Sequence, residues 1–188
     1  MRNVILLSLV TGLALSPLAA NAKDAPAAAF TCTAAGEKVA EQGFVPIGGI
    51  EQWITASGSN CNNPIMLFIH GGPGNPLSPW AHNIYSAWEK DFTLVQWDQR
   101  GAGFTFGRNP ASAEAPLTLD QMTRDGIEVA GYLARRFGQK SVILMGSSWG
   151  SVLAVHMVKA QPGLFTAYVG TSQMVSYRAN GETSYRGI

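Results

Sequence analysis

A serine placed between two glycines joins two apolar segments, and this arrangement limits what the chain can fold into. Residues 145–151 are MGSSWGS; the apolar run SVILM leads into them, and the segment WGSVLAVHMVKAQP continues from the tryptophan. The first run has the length of a buried strand and the second has the length of a helix. Gly146 and Gly150 leave room for a tight turn. The pattern predicts a strand, a sharp turn that carries Ser148, and a helix from Trp149.

Strand-type and helix-type segments alternate along much of the chain. The runs IMLFIH, FTLVQW and LFTAYVG are continuous and apolar, as are strands buried on both faces of a parallel sheet. Thr118 and Gln121 have the spacing of a capping box, and Gly138 marks the end of the helix that they open. One face of this helix is formed by Leu119, Met122, Gly126, Ala130, Leu133 and Phe137. A further helix is predicted at SAWEK. We expect the α/β class, with a mainly parallel sheet and flanking helices.

Two shorter extended runs precede this alternation. GFVPIGG and IEQWITASG meet at Gly48-Gly49, a pattern typical of an antiparallel hairpin. The folded domain is therefore predicted at residues 43–188, after a leader segment at residues 23–42 that begins with the Ala/Pro-rich stretch KDAPAAA.

The N-terminus has the features of a secretory signal peptide. Arg2 precedes an apolar stretch over residues 4–15, and Ala20 and Ala22 form an A-x-A cleavage site. An uncleaved membrane anchor is the alternative, but it needs about 20 continuous apolar residues and polar residues interrupt this stretch. We predict that residues 1–22 are removed, that the protein is exported to the periplasm or secreted, and that it has no stable membrane insertion afterwards.

Charge and cysteine content limit the partners. The chain has 13 basic and 12 acidic residues, and removal of Arg2 balances them, so a nucleic-acid partner is not expected. In an oxidising compartment Cys32 and Cys61, which flank the hairpin, can form a disulfide worth about 3–4 kcal/mol; two free thiols are the alternative. The histidines and cysteines lack metal-ligand spacing, so neither a metal nor an organic cofactor is expected.

Two motifs point to covalent catalysis by Ser148. A serine in G-x-S-x-G between a buried strand and a helix matches a nucleophile elbow, although the five-residue pattern alone also occurs as a plain strand-to-helix turn. HGGPG, residues 70–74, follows an earlier strand, where the second oxyanion donor of such a site is expected. Two halves of one oxyanion hole favour the catalytic interpretation.

HGGPG, WDQRGAG and GSSWGS, in this order, resemble the proline iminopeptidase branch of the α/β-hydrolase fold. The resemblance covers about residues 45–178 and implies the N-terminal half of such an enzyme, with Ser148 as nucleophile and the backbone N–H groups of Gly72 and Trp149 as oxyanion donors. It places structural residues around the site at His70, Gly71, Pro73, Gly74, Asp98, Arg100, Gly146 and Gly150. Ser147 and the pair Phe104-Thr105 depart from the family pattern, which leaves substrate preference open.

The remaining polar candidates are assigned structural roles. Asp98 precedes the nucleophile, whereas the acid follows it in this fold, so we expect Asp98 to form an ion pair with Arg100. His70 is expected to fix the glycine-rich turn by hydrogen bonding, and His82 lies in a loop with no evident partner. His156 follows Ser148 by eight residues on the predicted helix, which places it about 12 Å along the axis and out of reach.

After Ser148 only His156 and Glu182 could complete a triad, and neither is suited to it. We therefore expect this 188-residue chain to be inactive alone. A truncated enzyme, one half of a split enzyme with a complementing C-terminal half, and a secreted binding module without catalysis remain open. The resemblance implies an aminopeptidase that acts on a small peptide or ester through an acyl-enzyme, and the predicted signal peptide implies that it is exported; an esterase or lipase is the alternative enzyme. Ser148 itself argues against an epoxide hydrolase or dehalogenase with an aspartate nucleophile.

Overall fold

The computed structural model describes residues 36–110 and 116–186. Its strands are β1 (Val39–Ile47), β2 (Ile50–Gly58), β3 (Ile65–Ile69), β4 (Thr93–Asp98), β5 (Val142–Ser147) and β6 (Phe165–Thr171). Its helices are α1 (Ala81–Tyr85), α2 (Gly103–Arg108), α3 (Leu119–Arg136), α4 (Trp149–Ala160) and α5 (Tyr177–Arg186), with 3-10 turns at Ser86–Trp88 and Pro162–Leu164.

The six strands form one sheet in the order β1-β2-β4-β3-β5-β6. The pairs β1–β2 and β2–β4 are antiparallel. The pairs β4–β3, β3–β5 and β5–β6 are parallel. Every residue of β3 and β4 is buried, as their continuous apolar sequences predict. The predicted α/β class, with a mainly parallel sheet and flanking helices, is confirmed.

The β1–β2 hairpin turns at Gly48 and Gly49, whose φ values of +56° and +79° favour glycine. β1 begins at Val39, inside the segment predicted as a leader, so the domain starts before Gly43. Val39 is fully buried, but the alternating exposure of the next residues gives this end of the strand no apolar run that would mark it in the sequence. The predicted signal peptide, residues 1–22, lies outside the described residues.

The main core lies between the sheet and helices α3 and α4. The Thr118 hydroxyl accepts the N–H of Gln121 at the start of α3, as the capping-box spacing predicts. The predicted apolar face of α3 packs inward, and its residues Ala130 and Leu133 belong to one buried cluster with Leu153 and Met157 of α4. Met66, Phe68 and Leu94 form a smaller cluster on the opposite face of the sheet.

The short helices differ most from the sequence prediction. SAWEK forms a 3-10 turn after the five-residue helix α1, and neither α2 nor α5 was anticipated. These segments have no sustained apolar periodicity that could reveal them. Among the described residues no helix is both long and apolar enough to cross a bilayer.

Candidate active site

Ser148 lies at the turn between β5 and α4 in a backbone conformation that is rare for any residue except glycine. Its φ is +52° and its ψ is −120°. Non-glycine residues in such regions carry about 1–3 kcal/mol of strain. The Ser148 N–H donates to the carbonyl of Thr171 (3.0 Å), and the Ser151 hydroxyl donates to the carbonyl of Ser148 (2.6 Å). These bonds on both sides hold the strained turn.

The two glycines of the motif allow α4 to pass close beneath the strands. A Cβ atom on Gly150 would lie 2.0 Å from the carbonyl oxygen of Ile69 at the end of β3. One on Gly146 would lie 2.6 Å from the Gly150 oxygen and 2.9 Å from the Cβ of Ala154. Both contacts are too short for a side chain, so the spacing G-x-S-x-G is a packing requirement here.

The HGGPG turn lies directly against the nucleophile turn. A Cβ built on Gly71 would be 3.3 Å from the Cβ of Ser148, and Gly72 has a φ of +115°. Trp149 is the first residue of α4, so its N–H has no intrahelical acceptor. Gly72, Pro73 and Trp149 line the same cavity. The two predicted oxyanion donors thus border one space beside Ser148.

That cavity has a volume of about 710 Å³ and is lined mainly by apolar groups. Helix α4 contributes Trp149, Val152, Val155 and His156 to its lining, and the segment after β6 contributes residues 173–175. Met174 is tied to the nucleophile turn because its N–H donates to the Ser151 hydroxyl (3.0 Å). The groove can accept an apolar group bonded to a carbonyl held at Ser148.

His70 joins the HGGPG turn to the turn after β4. Its Nε2 accepts the N–H of Gln99 (3.2 Å), and its carbonyl accepts the Gln99 side-chain amide (3.0 Å). Nδ1 therefore carries the proton and donates to the carbonyl of Gly71 (2.9 Å). Burial lowers the pKa of the His70 imidazole, against the opposing effects of the Gly71 carbonyl and Asp98. The ring is a neutral connector between two turns.

Asp98 orders the start of α2. Its Oδ2 accepts the N–H of Phe104 (2.9 Å), and a Cβ on Gly103 would lie 2.2 Å from that oxygen. Burial raises the pKa of the Asp98 carboxyl, while the hydrogen bond from the Phe104 N–H acts in the opposite direction. Its contacts hold a turn and place no histidine for catalysis.

The predicted ion pair between Asp98 and Arg100 is wrong. The Arg100 guanidinium pairs with Asp125 of α3, with Nε 2.8 Å from Oδ2. Asp98 instead turns toward α2, where its carboxylate accepts the N–H of Phe104. Asp125 had a sequence signal, a carboxylate on the otherwise apolar face of α3 between Met122 and Val129, and this predicts a buried partner.

The other candidate residues lie apart from the nucleophile. His82 is in α1, and its Nδ1 contacts Glu89 at 3.1 Å, so the expectation that it has no partner is wrong. Glu182 pairs with Arg178 on α5. His156 is exposed on α4 and lines the far part of the cavity. Within residues 36–110 and 116–186, no histidine or carboxylate is hydrogen-bonded to the Ser148 hydroxyl.

Sequence reasoning overlooked Gln99 and Ser151, which connect the turns of the site. Gln99 stands inside WDQRGAG and Ser151 ends GSSWGS, so both motifs contained them without showing their contacts.

Cys61 is buried and disulfide-bonded; its predicted partner Cys32 lies outside the described residues, and the pairing stays a prediction. In the described part of the chain, no group of three His, Cys, Asp or Glu side chains could hold a metal ion.

A profile of the α/β-hydrolase fold family matches residues 64–181, which include the cavity, both turns and Ser148. The chain belongs to the α/β-hydrolase family. The strand order of the sheet and the turn at Ser148 agree with this assignment.

Among curated hydrolases, the probable aminopeptidase YbaC of Bacillus subtilis (strain 168) is 35% identical over 142 residues, 76% of this chain and 44% of the relative. The probable proline iminopeptidase of Streptomyces coelicolor (strain ATCC BAA-471 / A3(2) / M145) is 31% identical over 134 residues, 68% of this chain and 39% of the relative. The chain resembles the proline iminopeptidase-like branch and spans less than half the length of these relatives.

Solved hydrolase structures show the same fold. The proline iminopeptidase-related protein from Thermus thermophilus superposes with a TM-score of 0.54 at 23% identity, over 70% of this chain and 44% of that one. The epoxide hydrolase VrEH1 from Vigna radiata has a TM-score of 0.54 at 25% identity, over 70% of this chain and 38% of that one. Each match spans less than half of the solved chain.

Proposed function

We propose that the complete protein is an exported serine aminopeptidase that releases the N-terminal residue of small peptides through an acyl-enzyme. The observation that carries the proposal is the strained Ser148 turn, which packs against the HGGPG turn beside an apolar cavity. The peptidase names of the matched relatives support the same reaction class. Export is supported by the features of residues 1–22.

In the proposed reaction the Ser148 hydroxyl attacks the carbonyl carbon of the first peptide bond. The developing oxyanion is stabilised by the N–H groups of Gly72 and Trp149 at the positive end of α4. A general base takes the serine proton and passes it to the leaving amine, and water then hydrolyses the acyl-enzyme. We assign this base and its orienting carboxylate to a complementing segment or chain, because the described residues bring neither group to Ser148.

The cavity indicates which substrates the proposed enzyme accepts. Its walls at Val152, Val155 and Pro73 are apolar, so we propose that it holds the side chain or ring of an apolar N-terminal residue. Burying such a group removes apolar surface from water, which contributes about 1.5–3 kcal/mol for a side chain of valine or leucine size.

An esterase is the second candidate, and the composition of the cavity favours it. No described Asp or Glu lines the cavity, so this part of the chain presents no carboxylate for the ammonium group of a peptide. An uncharged acyl ester would need none. The two candidates therefore differ in whether a free α-amino group is required.

The test uses the complete gene product and its Ser148→Ala variant. We expect Ser148-dependent release of chromophore from prolyl and leucyl p-nitroanilides, and loss of that activity when the amino group is acetylated. Ser148-dependent hydrolysis of p-nitrophenyl butyrate, without hydrolysis of either the free or the acetylated anilides, would establish the esterase instead. Binding of these compounds without any Ser148-dependent turnover would favour the secreted binding module.

A further inference from the structure

A buried carboxylate collects several hydrogen bonds beneath the turn that follows β4. Asp125 of α3 is fully buried. It accepts from Arg100 through Nε (2.8 Å) and Nη2 (3.3 Å), from the Gln52 side-chain amide (2.9 Å), and from that of Gln121 (2.6 Å). The Arg100 side chain is 11% exposed. This pair is held in one geometry by polar neighbours on three elements.

The same pair is anchored to the hairpin. Arg100 Nη2 also donates to the carbonyl of Gly48 (2.7 Å), and Gln52 donates to the carbonyl of Ile47 (3.2 Å). The Gln52 side-chain oxygen accepts the indole N–H of Trp97 (2.7 Å). A Cβ on Gly48 would lie 1.9 Å from Asp125 Oδ1, so the turn needs glycine at this position to admit the pair. Arg100 is therefore fixed from both α3 and the β1–β2 turn.

Arg100 is adjacent to the residue that holds the HGGPG turn. Gln99 makes two hydrogen bonds to His70, one to its ring and one to its carbonyl. His70 in turn donates to Gly71, whose backbone packs against Ser148. The segment 99–100 is thus connected through two buried residues, Gln99 and His70, to the turn that contains Gly72.

We propose that Arg100 and Asp125 form a positioning pair, which sets the place of the Gly72 N–H relative to Ser148 through Gln99 and His70. The inference rests on the proposed function, since it concerns the oxyanion donor of that reaction. A buried ion pair contributes little net stability, because desolvation of the two charges offsets their attraction. Its value here lies in holding one geometry, and an oxyanion donor acts only when it is correctly placed before the transition state forms.

The first experiment compares two ion pairs of the same helix in the complete gene product. Arg100→Lys keeps the charge but lacks the planar fork that reaches both Asp125 and Gly48. We expect kcat to fall by about 10- to 100-fold with KM nearly unchanged, the signature of a lost transition-state contact. The control is Arg136→Lys, because Arg136 pairs with Glu41 at 3.2 Å on a more exposed part of α3. It is expected to leave kcat unchanged.

A second pair of variants displaces the ion pair while Arg100 and Asp125 themselves are unchanged. Gly48→Ala places a Cβ onto Asp125 and Arg100, whereas Gly49→Ala meets no atom within 4 Å. Both glycines have positive φ, so both variants carry backbone strain, and their difference reports the displacement of the pair. We expect the kcat loss of Arg100→Lys to recur in Gly48→Ala and to be absent from Gly49→Ala.

A spectroscopic measurement separates this inference from the proposed activity. With selective ¹⁵N-labelling of glycine and histidine, Arg100→Lys and Gly48→Ala should shift the amide resonance of Gly72 and the Nδ1–H resonance of His70, while Arg136→Lys leaves them in place. An unchanged Gly72 resonance and unchanged kcat in folded Arg100→Lys and Gly48→Ala proteins would overturn the inference. If the unaltered protein shows no Ser148-dependent turnover, the proposed function fails, and the resonances still decide the positioning role.

Discussion

At Ser148 the backbone and the side chain make opposing demands. The φ of +52° would suit glycine, but the proposed reaction needs the serine hydroxyl as its nucleophile. The surrounding bonds from Ser148 N–H to Thr171 and from Ser151 to the Ser148 carbonyl hold the strained residue in place. If Ser148 acts as proposed, the strain lowers stability in exchange for a fixed position of the nucleophile.

Substitutions at Ser148 should separate these two demands. Ser148→Ala is expected to abolish turnover of the complete protein with little effect on its fold, because the hydroxyl has no packing role. Ser148→Gly should also be inactive, yet more stable than Ser148→Ala by about 1 kcal/mol, since glycine adopts this backbone without strain. Urea denaturation measures the difference. Equal stability of the two variants would show that the turn is not strained.

His70 should make the stability of the fold sensitive to acid. Burial lowers the pKa of its imidazole from the ordinary 6.5, so the folded protein takes up this proton only at a lower pH than the unfolded chain. Between those two pKa values the unfolded state binds more protons, and the free energy of unfolding falls as the pH decreases. Protonation would also turn Nε2 into a donor facing the N–H of Gln99.

His70→Asn removes this titration. We expect its free energy of unfolding to decline less than that of the wild type between about pH 7.5 and 5.5, the range in which histidine titrates. The raised pKa of the Asp98 carboxyl acts in the opposite direction, so the change in slope is the net effect of losing His70. A wild-type slope in His70→Asn would contradict the assignment.

Local patterns predicted the residues of the site better than their partners. Ser148, Gly146, Gly150 and the HGGPG turn could be located from sequence because each depends on neighbours within a few residues. The partner of Arg100 could not, since Asp125 is 25 positions away and comes close only when α3 packs beside the hairpin. Sequence proximity to Asp98 suggested the wrong pair.

At the level of elements, the close approach of α4 to β3 depends on glycine. Gly150 lies in the first turn of α4, where its missing side chain lets the helix lie against the Ile69 carbonyl. The opposite case is Gly131 in α3, where an added Cβ would meet only the movable Arg135 guanidinium at 3.3 Å. Two helical glycines thus have different physical reasons to be present.

Alanine substitutions at these two positions should have opposite effects on stability. Gly150→Ala must push α4 away from β3, and we expect a loss of about 1–3 kcal/mol, typical of overpacking. Gly131→Ala should gain about 0.5–1 kcal/mol, because alanine favours the helical backbone over glycine. Denaturant midpoints of the two variants measure both. A stabilising Gly150→Ala would mean that the helix can move without cost.

Long periodic or continuous apolar segments were predictable, and short elements were not. The runs that became β3, β4 and β6 and the capped helix α3 have strong patterns. Helix α2 spans Gly103–Arg108 and buries only Thr105, so it has no apolar face; contacts to Asp98 and Trp53 stabilise it instead. Such tertiary contacts leave no local signal.

At the scale of the whole molecule, the described helices cover one face of the sheet more completely than the other. Helices α3 and α4 pack over one face, whereas α1 and its 3-10 turn cover only part of the other, where Ile143 and Met145 are half-buried. Among the described residues β6 pairs only with β5, and Val169 of β6 is 42% exposed. Parallel strands of this type are normally covered on both faces and flanked by further strands.

A polypeptide limited to residues 23–188 should therefore self-associate and show no Ser148-dependent turnover. Among the described strands β6 stands at the end of the sheet, and such an edge, with apolar side chains beside it, is a template for pairing with another copy. Turnover should be absent because Ser148 without a base is a weak nucleophile at neutral pH, even beside a formed oxyanion site. Size-exclusion chromatography and a p-nitrophenyl acetate assay with a Ser148→Ala control measure the two properties. A monodisperse monomer with serine-dependent turnover would mean that the edge is protected and that a base within this segment reaches Ser148.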